Sequence, residues 1–382
     1  MYKRLLKFQN MKRKKIINVP FNDLNRIHDD IQKKIIKDFD NLVSESRFIL
    51  NKEIEDFEKD FSNFTNSKYT ITCANGTDAI ELILRSLDIG FGDEVIIPVN
   101  TFIATATAVI RAGATPIFVD NDEFYLINIE KIEEKITKKT KAIIAVNLYG
   151  QLSDLAAINS IAKKYSIYLI EDSAQSHGAT NSKFNKNLSI ASSYSFYPGK
   201  NLGGWGDGGA VTTNNRKIFE SIKLMRNVGS EKKYEHKTAG FNSRLQPLQG
   251  LVLKEKLRYL NQWNKERNKI SKKYFEGLNI LNSISLPKTR KDNYHVWHLY
   301  VIRVKNRKKI LEDTSKHGVE FGLHYPMPIH RQKAFKTHPQ YRSKFNNADT
   351  FSNQLLSLPI FPKMKDREIE RVIEVVSEYA VS

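Results

Sequence analysis

Two residues could together carry out covalent chemistry on an amine. Lys200 lies in SYSFYPGKNLGGWGDGGAV, between a short aromatic strand and a glycine-rich loop, and Asp172 ends an apolar run in IYLIEDSAQSHGA. A lysine that forms a Schiff base and a carboxylate that holds a pyridine nitrogen are the groups that pyridoxal phosphate chemistry requires. Taken singly, Lys200 could be a solvated surface lysine and Asp172 a turn cap. Taken together they predict one site for pyridoxal 5'-phosphate, with pyridoxamine 5'-phosphate formed during turnover.

The segment ANGTDAIELIL predicts an anion site. It indicates a strand end, a turn at Gly76 and a helix that opens at Thr77. Free backbone amides at a helix N-terminus attract a phosphate, whereas the alternative is that Thr77 is only the N-cap. Ser195 precedes Lys200 by five residues, so its hydroxyl could reach the same phosphate.

Three more side chains lie close to these segments in the sequence. Gln175 follows Asp172 by three residues and could hydrogen-bond the phenolic oxygen of the cofactor ring. Phe102 comes just after another strand end, where it could stack on the ring or lie in the core. His177 could line the pocket, but packing in the interior is the favoured interpretation.

The pattern of strands and helices predicts how these residues come together. Helix-like stretches at 77–86, 104–111, 129–135 and 154–164 alternate with β-rich runs. The candidate strands are YTITC, EVIIP, PIFV, KAIIAV, IYLIE, SSYSFY and GAVTT. This alternation predicts an α/β fold with a mostly parallel seven-stranded sheet flanked by helices. Ligands of such sheets bind beyond the carboxyl ends of strands, where Gly76, Asp172 and Lys200 would meet.

The chain divides into three predicted parts. Residues 1–17 form a basic lead that we expect to be disordered, and Met11 could be the true start. Residues 18–250 form a large cofactor-binding domain whose first helices could pack on the small domain. Residues 251–382 form a small α+β domain that opens with a connecting helix, LVLKEKLRYLNQWNKERNKISKKYF.

Composition excludes several classes of protein. No apolar run among the 382 residues approaches the roughly 20 that span a bilayer, and the start lacks the apolar core of a secretion signal. A single cysteine excludes an intrachain disulfide, and we expect a cytoplasmic enzyme without a metal site. The net charge of +19 comes from lysines spread along the chain, which favours compositional bias over a surface for nucleic acid or membrane.

Eight motifs in order resemble one family from about residue 18 to the C-terminus. They are NGTDAIEL, EVIIPVNTFIATA, LYGQ, IEDSAQSHGA, SFYPGKNLGGWGDGGAV, FNSRLQPLQ, HVWHLYVIR and HYPMPIH. Together they resemble the DegT/DnrJ/EryC1/StrS sugar aminotransferases, which are fold-type I pyridoxal phosphate enzymes. The opening VPFNDLNRIHDDI and the segment SRFILNKEIEDFEKDF are most similar to members that act at the 3-position of a sugar.

The resemblance implies a role for each site residue. Lys200 would form the Schiff base, and Asp172 would pair with the ring nitrogen. The other cofactor contacts that it implies are Gly76, Thr77, Phe102, Gln175, Ser195 and Asn242. Because the family forms homodimers with shared active sites, Asn242 would complete the neighbouring subunit's phosphate site. The implied substrate contacts are Tyr197, Arg244, His324 and Tyr325.

The implied reaction moves an amino group from L-glutamate to a nucleotide-linked ketosugar, for surface polysaccharide (lipopolysaccharide or O-antigen) or another glycan. A dTDP-3-keto-6-deoxyhexose is the preferred acceptor, a UDP-linked 3-keto sugar is next, and a 4-keto sugar stays open. A related dehydratase branch has histidine in place of the Schiff-base lysine, so Lys200 argues against it. A regulator that binds pyridoxal phosphate or nucleic acid would leave the cofactor residues unexplained. Trp205, Gln246 and Gly250 depart from the family pattern, and Trp205 could alter the pocket wall.

Overall fold

A seven-stranded sheet forms the centre of the computed structural model, which describes residues 17–29, 31–183, 188–305 and 307–381. The basic lead predicted at 1–17 lies almost wholly outside the described residues. The strands of the sheet are β1 (Tyr69–Cys73), β2 (Glu94–Pro98), β3 (Thr115–Val119), β4 (Thr140–Val146), β5 (Tyr168–Asp172), β6 (Ala191–Ser195) and β7 (Gly209–Thr213). Their spatial order is β1-β7-β6-β5-β4-β2-β3, and only β7 runs against the others. The predicted mostly parallel seven-stranded sheet is confirmed.

Helices cover both faces of this sheet. They are α1 (Asn25–His28), α2 (Gln32–Ser44), α3 (Lys52–Thr65), α4 (Gly76–Ser86), α5 (Ile103–Arg111), α6 (Leu155–Lys164), α7 (Arg216–Met225), α8 (Pro247–Leu257) and α9 (Leu260–Leu278). Alternate residues of β4 point to opposite faces: Ile144 packs in the core that includes α4 and α5, and Ile143 packs in the core that includes α6. The continuous apolar run in this strand therefore follows from burial on both sides.

The C-terminal part has a small sheet and a core of its own. Its antiparallel strands are β8 (Ile284–Ser285), β9 (Tyr300–Val304) and β10 (Leu355–Leu358), and its helices are α10 (Arg307–Glu312), α11 (Thr314–His317), α12 (Asn346–Ser352) and α13 (Asp366–Val381). Side chains of β9, β10, α9 and α13 form one cluster, which Val19 joins through a bridge to Val319. The start of the described chain thus packs on the C-terminal part. The division at residue 250 stays a prediction.

Two short ladders lie outside both sheets. One pairs Thr180–Asn181 with Asn293–Tyr294, and the other pairs Ser230–Lys232 with Glu235–His236. The first of them ties the segment after β5 to the segment that precedes β9.

Two predicted helices are wrong in detail. The stretch 129–135 forms two 3-10 turns, Ile129–Lys131 and Glu133–Lys135, and no α-helix. Ile132 lies between the two turns and is buried against the sheet, and a short turn is enough to bury this one side chain. The single connecting helix predicted over 251–275 is two helices, α8 and α9. The break between them lets Leu253 and Leu260 share one cluster, while Ile270 turns toward the C-terminal core.

Candidate active site

Asp172 ends β5 inside the sheet and is held by two hydrogen bonds. Its neighbours in register are Val146 on β4 and Ser193 on β6. The Thr105 hydroxyl donates to Oδ2 at 2.8 Å, and the backbone N–H of Ala174 donates to Oδ1 at 3.2 Å. Burial raises the pKa of Asp172, although these hydrogen bonds and the charge of Lys200 oppose the rise. The carboxylate is therefore fixed in orientation before any ligand arrives.

Lys200 lies on a turn that follows β6, and the backbone N–H of Lys200 donates to the carbonyl of Tyr197 at 2.9 Å. The side chain is half-buried, and burial lowers its pKa to about 8, while the charge of Asp172 raises it. The structure therefore brings Lys200 and Asp172 within electrostatic reach of each other. An amine with a lowered pKa is neutral in a larger fraction of molecules, which is the form that attacks a carbonyl.

The segment predicted to bind an anion lies at the start of α4. Asn75 is the N-cap, because its Oδ1 accepts the backbone N–H of Asp78 at 2.8 Å. The helix begins at Gly76, so the prediction of a helix opening at Thr77 was wrong by one residue, and so was the alternative of Thr77 as cap. A Cβ added at Gly76 would lie 2.8 Å from the Cβ of Ser195. Gly76, Thr77 and Ser195 thus line one narrow cradle beside free helix amides, which fits a phosphate.

An amide and three aromatic rings lie beside Asp172. Gln175 accepts the backbone N–H of Tyr149 on Oε1 at 2.7 Å and donates from Nε2 to the Tyr325 hydroxyl at 3.1 Å. The rings of Tyr325 and Phe102 are 5.7 Å apart. Phe102 is 53% exposed, so it is not a core residue, and its open face is available for a planar ring. Burial raises the pKa of Tyr325, and the charge of Asp172 adds to the rise.

His324 lies on the side of the site that the C-terminal part of the chain contributes, and contacts hold both its ring and its backbone carbonyl. Its Nδ1 lies 2.8 Å from the Ser357 hydroxyl, and its ring stacks on Phe21 at 5.6 Å. Its carbonyl accepts the Tyr149 hydroxyl. Burial, followed by the charge of Lys200, lowers the pKa of His324 to about 4, so the ring is neutral near pH 7. From the sequence, His324 was predicted only as a substrate contact implied by the family resemblance.

The remaining predicted contacts are more exposed. Tyr197 is 59% exposed. Asn242 forms a backbone bridge with Asn227 and is exposed, while Arg244 Nε donates to the Asn227 side chain at 2.8 Å. The structure of one chain therefore does not bring Asn242 and Arg244 into contact with Lys200 or Asp172.

His177 and Trp205 both pack against other side chains. His177 lies in the core against Tyr194 and Phe196, as the packing interpretation predicted. Trp205 packs with Ile31, Ile35 and Val252, and its Nε1 lies 3.2 Å from Nε2 of His28. Trp205 therefore contacts the first helices and α8.

Sequence reasoning missed Thr105 and His298. Thr105 is the third residue of α5, the helix that begins directly after Phe102, and that position was a usable signal. His298 stands in the quoted motif HVWHLYVIR, and the charge of Lys200 contributes to its pKa shift, so it lies near the site.

Among the residues with described coordinates, no helix is long and apolar enough to cross a membrane. The same residues contain no group of three or more histidine, cysteine, aspartate or glutamate side chains suited to a metal ion.

The residues present fit pyridoxal phosphate. The cradle at Gly76 suits its phosphate, the fixed carboxylate of Asp172 suits its ring nitrogen, and Lys200 offers an amine of lowered pKa within electrostatic reach of Asp172. Such a site at the carboxyl ends of a mostly parallel sheet defines the class: a pyridoxal phosphate-dependent enzyme of fold-type I.

Comparisons with known proteins identify the family. The model of the DegT/DnrJ/EryC1/StrS aminotransferase family matches residues 29–377. The chain is 46% identical to a dTDP-3-amino-3,6-dideoxy-alpha-D-galactopyranose transaminase from Aneurinibacillus thermoaerophilus, over 94% of this chain and 99% of the relative. The chain belongs to this aminotransferase family.

Solved structures agree with the assignment. The crystal structure of S. venezuelae DesV in complex with a ketimine intermediate matches with a TM-score of 0.93 at 36% identity, over 96% of this chain and 99% of that one. The structure of NtdA from Bacillus subtilis with bound cofactor PMP matches with a TM-score of 0.91 at 32% identity, over 98% and 88% of the two chains.

Proposed function

We propose that this aminotransferase moves the amino group of L-glutamate to a dTDP-linked 3-keto-6-deoxyhexose. The observation that carries this proposal is the 46% identity to a dTDP-3-amino-sugar transaminase along nearly the full length of both chains. The opening segments of the sequence also support a 3-keto acceptor, because they are most similar to family members that act at the 3-position of a sugar.

The proposed roles follow from the geometry. When bound, the cofactor supplies a ring that withdraws electrons from the donor's α-carbon. Asp172 would hold the ring nitrogen, and a protonated nitrogen would in turn keep the carboxylate charged despite its burial. Lys200 would move the proton between carbon atoms, because its lowered pKa lets it both accept and release a proton. Gly76, Thr77 and Ser195 would hold the phosphate.

Around these groups lie the proposed recognition residues. Phe102 would stack on the cofactor ring, and Gln175 would hydrogen-bond its phenolic oxygen. Tyr197, His324 and Tyr325 would contact the sugar. The neutral His324 ring can exchange hydrogen bonds with hydroxyl groups without adding charge.

We infer a homodimer with shared active sites. Asn242 would complete the phosphate site of the neighbouring subunit, and Arg244 would lie at its substrate entrance. An exposed apolar face supports the second copy: it consists of Ile36, Phe39 and Val43 on α2, with Phe48 and Ile49 after it. Contiguous apolar surface of this kind marks interaction sites in many proteins.

The proposed setting is the cytoplasm, where the nucleotide-activated sugar would be made for surface polysaccharide, such as the O-antigen of lipopolysaccharide, or for another glycan. The single cysteine, Cys73, is buried, which is consistent with a reducing compartment.

The test is an assay against a panel of dTDP- and UDP-linked 3-keto and 4-keto sugars, with L-glutamate as donor. We expect turnover to be fastest with a dTDP-3-keto-6-deoxyhexose, and NMR of the product to place nitrogen at carbon 3. Preference for a UDP sugar, or nitrogen at carbon 4, would contradict the acceptor assignment. The donor half-reaction tests the donor separately. It is followed without any sugar, as the loss of the absorbance band of the lysine-bound cofactor when L-glutamate is added.

A further inference from the structure

The residue after Lys200 is pinned by its own side chain. Asn201 is buried, and its amide nitrogen donates to Oδ1 of Asn264 on α9 and to the carbonyl of Val296, each at 2.9 Å. Its Oδ1 lies 3.2 Å from Nδ1 of His298. Three contacts from two elements therefore fix the backbone directly beyond the Schiff-base lysine.

The orientation of the Asn201 amide follows from its partners. The carbonyl of Val296 can only accept, so the amide nitrogen must face it. Asn264 uses its own amide nitrogen to donate to the carbonyl of His177 at 2.9 Å, so it offers its oxygen to Asn201. Both N–H groups of Asn201 are thereby used, and Oδ1 is the atom that faces His298.

That orientation determines the tautomer of His298. Because Oδ1 of Asn201 can only accept, the imidazole must carry a proton on Nδ1, which leaves Nε2 without one in the neutral ring. The neighbouring His295 has the opposite arrangement: its Nδ1 accepts the backbone N–H of Trp297 at 2.9 Å. The two histidines of the HVWH motif are thus locked in different forms by different partners.

The surroundings of His298 keep its ring uncharged. Burial lowers its pKa well below the ordinary value, and the charges of Lys200 and Arg267 lower it further, as do His324 and His177. Arg267 lies on α9 and donates to the carbonyls of Trp297 and Ile360 at 3.2 and 2.6 Å, so its charge is fixed nearby. A second cation beside Lys200 would be costly in this setting.

We propose that His298 is a positioning residue for Lys200: as the neutral Nδ1–H tautomer it holds the Asn201 amide, and through it the loop that presents the lysine. The contact set joins the lysine loop to α9 and to the segment before β9, so the C-terminal part of the chain helps to place the loop that follows β6 of the large sheet. This inference rests on the proposed role of Lys200 and not on the identity of the sugar.

Two substitutions distinguish the roles of the two ring nitrogens of His298. In His298→Asn the side-chain N–H₂ takes the place of Nδ1 and can still donate to Asn201, whereas in His298→Gln the amide reaches the place of Nε2. We expect the donor half-reaction with L-glutamate to be slowed about 10- to 100-fold in His298→Gln, since small displacements of reacting groups have effects of this size. We expect His298→Asn to stay within about threefold of the parent enzyme. Thermal unfolding of both holoenzymes checks that they are folded.

The spectrum and NMR supply readouts that do not depend on turnover. The pH midpoint of the lysine-bound absorbance band should move in His298→Gln and not in His298→Asn. Long-range ¹H–¹⁵N correlations on the histidine-labelled parent protein, with His298→Asn to identify the resonance, should show a protonated Nδ1 and an unprotonated Nε2 from pH 6 to 8.

Several results would overturn the inference. Equal rates in the two variants, or a larger loss in His298→Asn, would show that the Nδ1 contact does not position Lys200. A proton on Nε2 in that pH range, whether in the other neutral tautomer or in a charged ring, would contradict the assigned tautomer even if His298→Gln failed to fold. If L-glutamate is not the donor, the parent enzyme itself shows no half-reaction, and the tautomer and band midpoint still decide the proposal.

Discussion

The two sides of the active site differ in how much one chain fixes them. On the cofactor side, Asp172 and Ser195 end neighbouring strands, and Asp172 is held by Thr105 and a backbone N–H. On the side that we propose as the entrance, Tyr197 is more than half exposed, and Arg244 donates to the side chain of Asn227. Strand ends in a buried sheet cannot shift independently, whereas exposed side chains can.

This difference teaches where specificity resides. The reaction common to all aminotransferases of this fold needs a few atoms at fixed positions, and the sheet supplies them. We propose that recognition of a particular sugar nucleotide depends on loop residues at the entrance, such as Tyr197 and Arg244. Substitutions on the cofactor side should therefore lower kcat or weaken cofactor binding, and substitutions at the entrance should change KM.

The largest effect is expected for Lys200→Ala. Loss of the amine removes both the covalent link and the proton carrier, so kcat should fall by at least about 10⁴-fold. Single-turnover rates with pyridoxamine 5'-phosphate-loaded protein and keto acid measure the remaining activity. A variant that still turned over at a tenth of the parent rate would remove Lys200 from the chemistry.

Asp172→Ala should follow, with kcat about 10² to 10³-fold lower and cofactor still bound, because one electrostatic contact to the ring nitrogen is lost. Thr105→Val removes only the 2.8 Å hydrogen bond to this carboxylate, so we expect about a tenfold loss. Steady-state kinetics and the cofactor content of the purified variants test both. A larger loss in Thr105→Val than in Asp172→Ala would contradict the order.

Gly76→Ala should weaken cofactor binding about 10- to 100-fold, because its Cβ would crowd Ser195 at 2.8 Å and narrow the phosphate cradle. Fluorescence titration of the cofactor-free protein with pyridoxal phosphate measures this. Gly90→Ala is the matched control, since its nearest neighbour would be the carbonyl oxygen of Ala112 at 3.4 Å. Equal affinities for the two variants would argue against a phosphate at the start of α4.

The pH dependence of cofactor loading should reveal the lowered pKa of Lys200. With a pKa of about 8, the neutral fraction of the amine rises roughly tenfold between pH 7 and pH 9, and the initial loading rate should rise with it. An ordinary lysine would keep gaining neutral fraction up to pH 10 or beyond. A loading rate that still climbs steeply above pH 9 would show that burial does not lower this pKa.

The smallest effect belongs to the entrance. Arg244→Ala should raise the KM for the sugar nucleotide roughly three- to tenfold and leave the L-glutamate half-reaction unchanged, because one partly exposed charge is lost. Arg244→Lys, which keeps the charge, should lie between the parent and Arg244→Ala. A slower donor half-reaction would place Arg244 on the cofactor side and contradict the difference between the two sides of the site.

The sequence by itself determined the sheet and its functional edge. Strand runs that are apolar on both faces indicate a parallel sheet, and Asp172 at the end of IYLIE and Lys200 after SSYSFY then have to meet at the carboxyl edge. Those signals are local, because a strand that is buried on both faces has apolar residues along its whole length. The start of α4 was predicted to within one residue for the same reason.

Only the tertiary structure decided the partners of these residues. That Thr105 reaches Asp172, that Gln175 bridges Tyr149 and Tyr325, and that Asn201 fixes the proton of His298 all depend on side chains far apart in the chain. The break between α8 and α9 has the same origin, since it serves two separate cores. A hydrogen bond or a packing contact between distant segments has no periodicity along the chain, so it becomes visible only when the chain has folded.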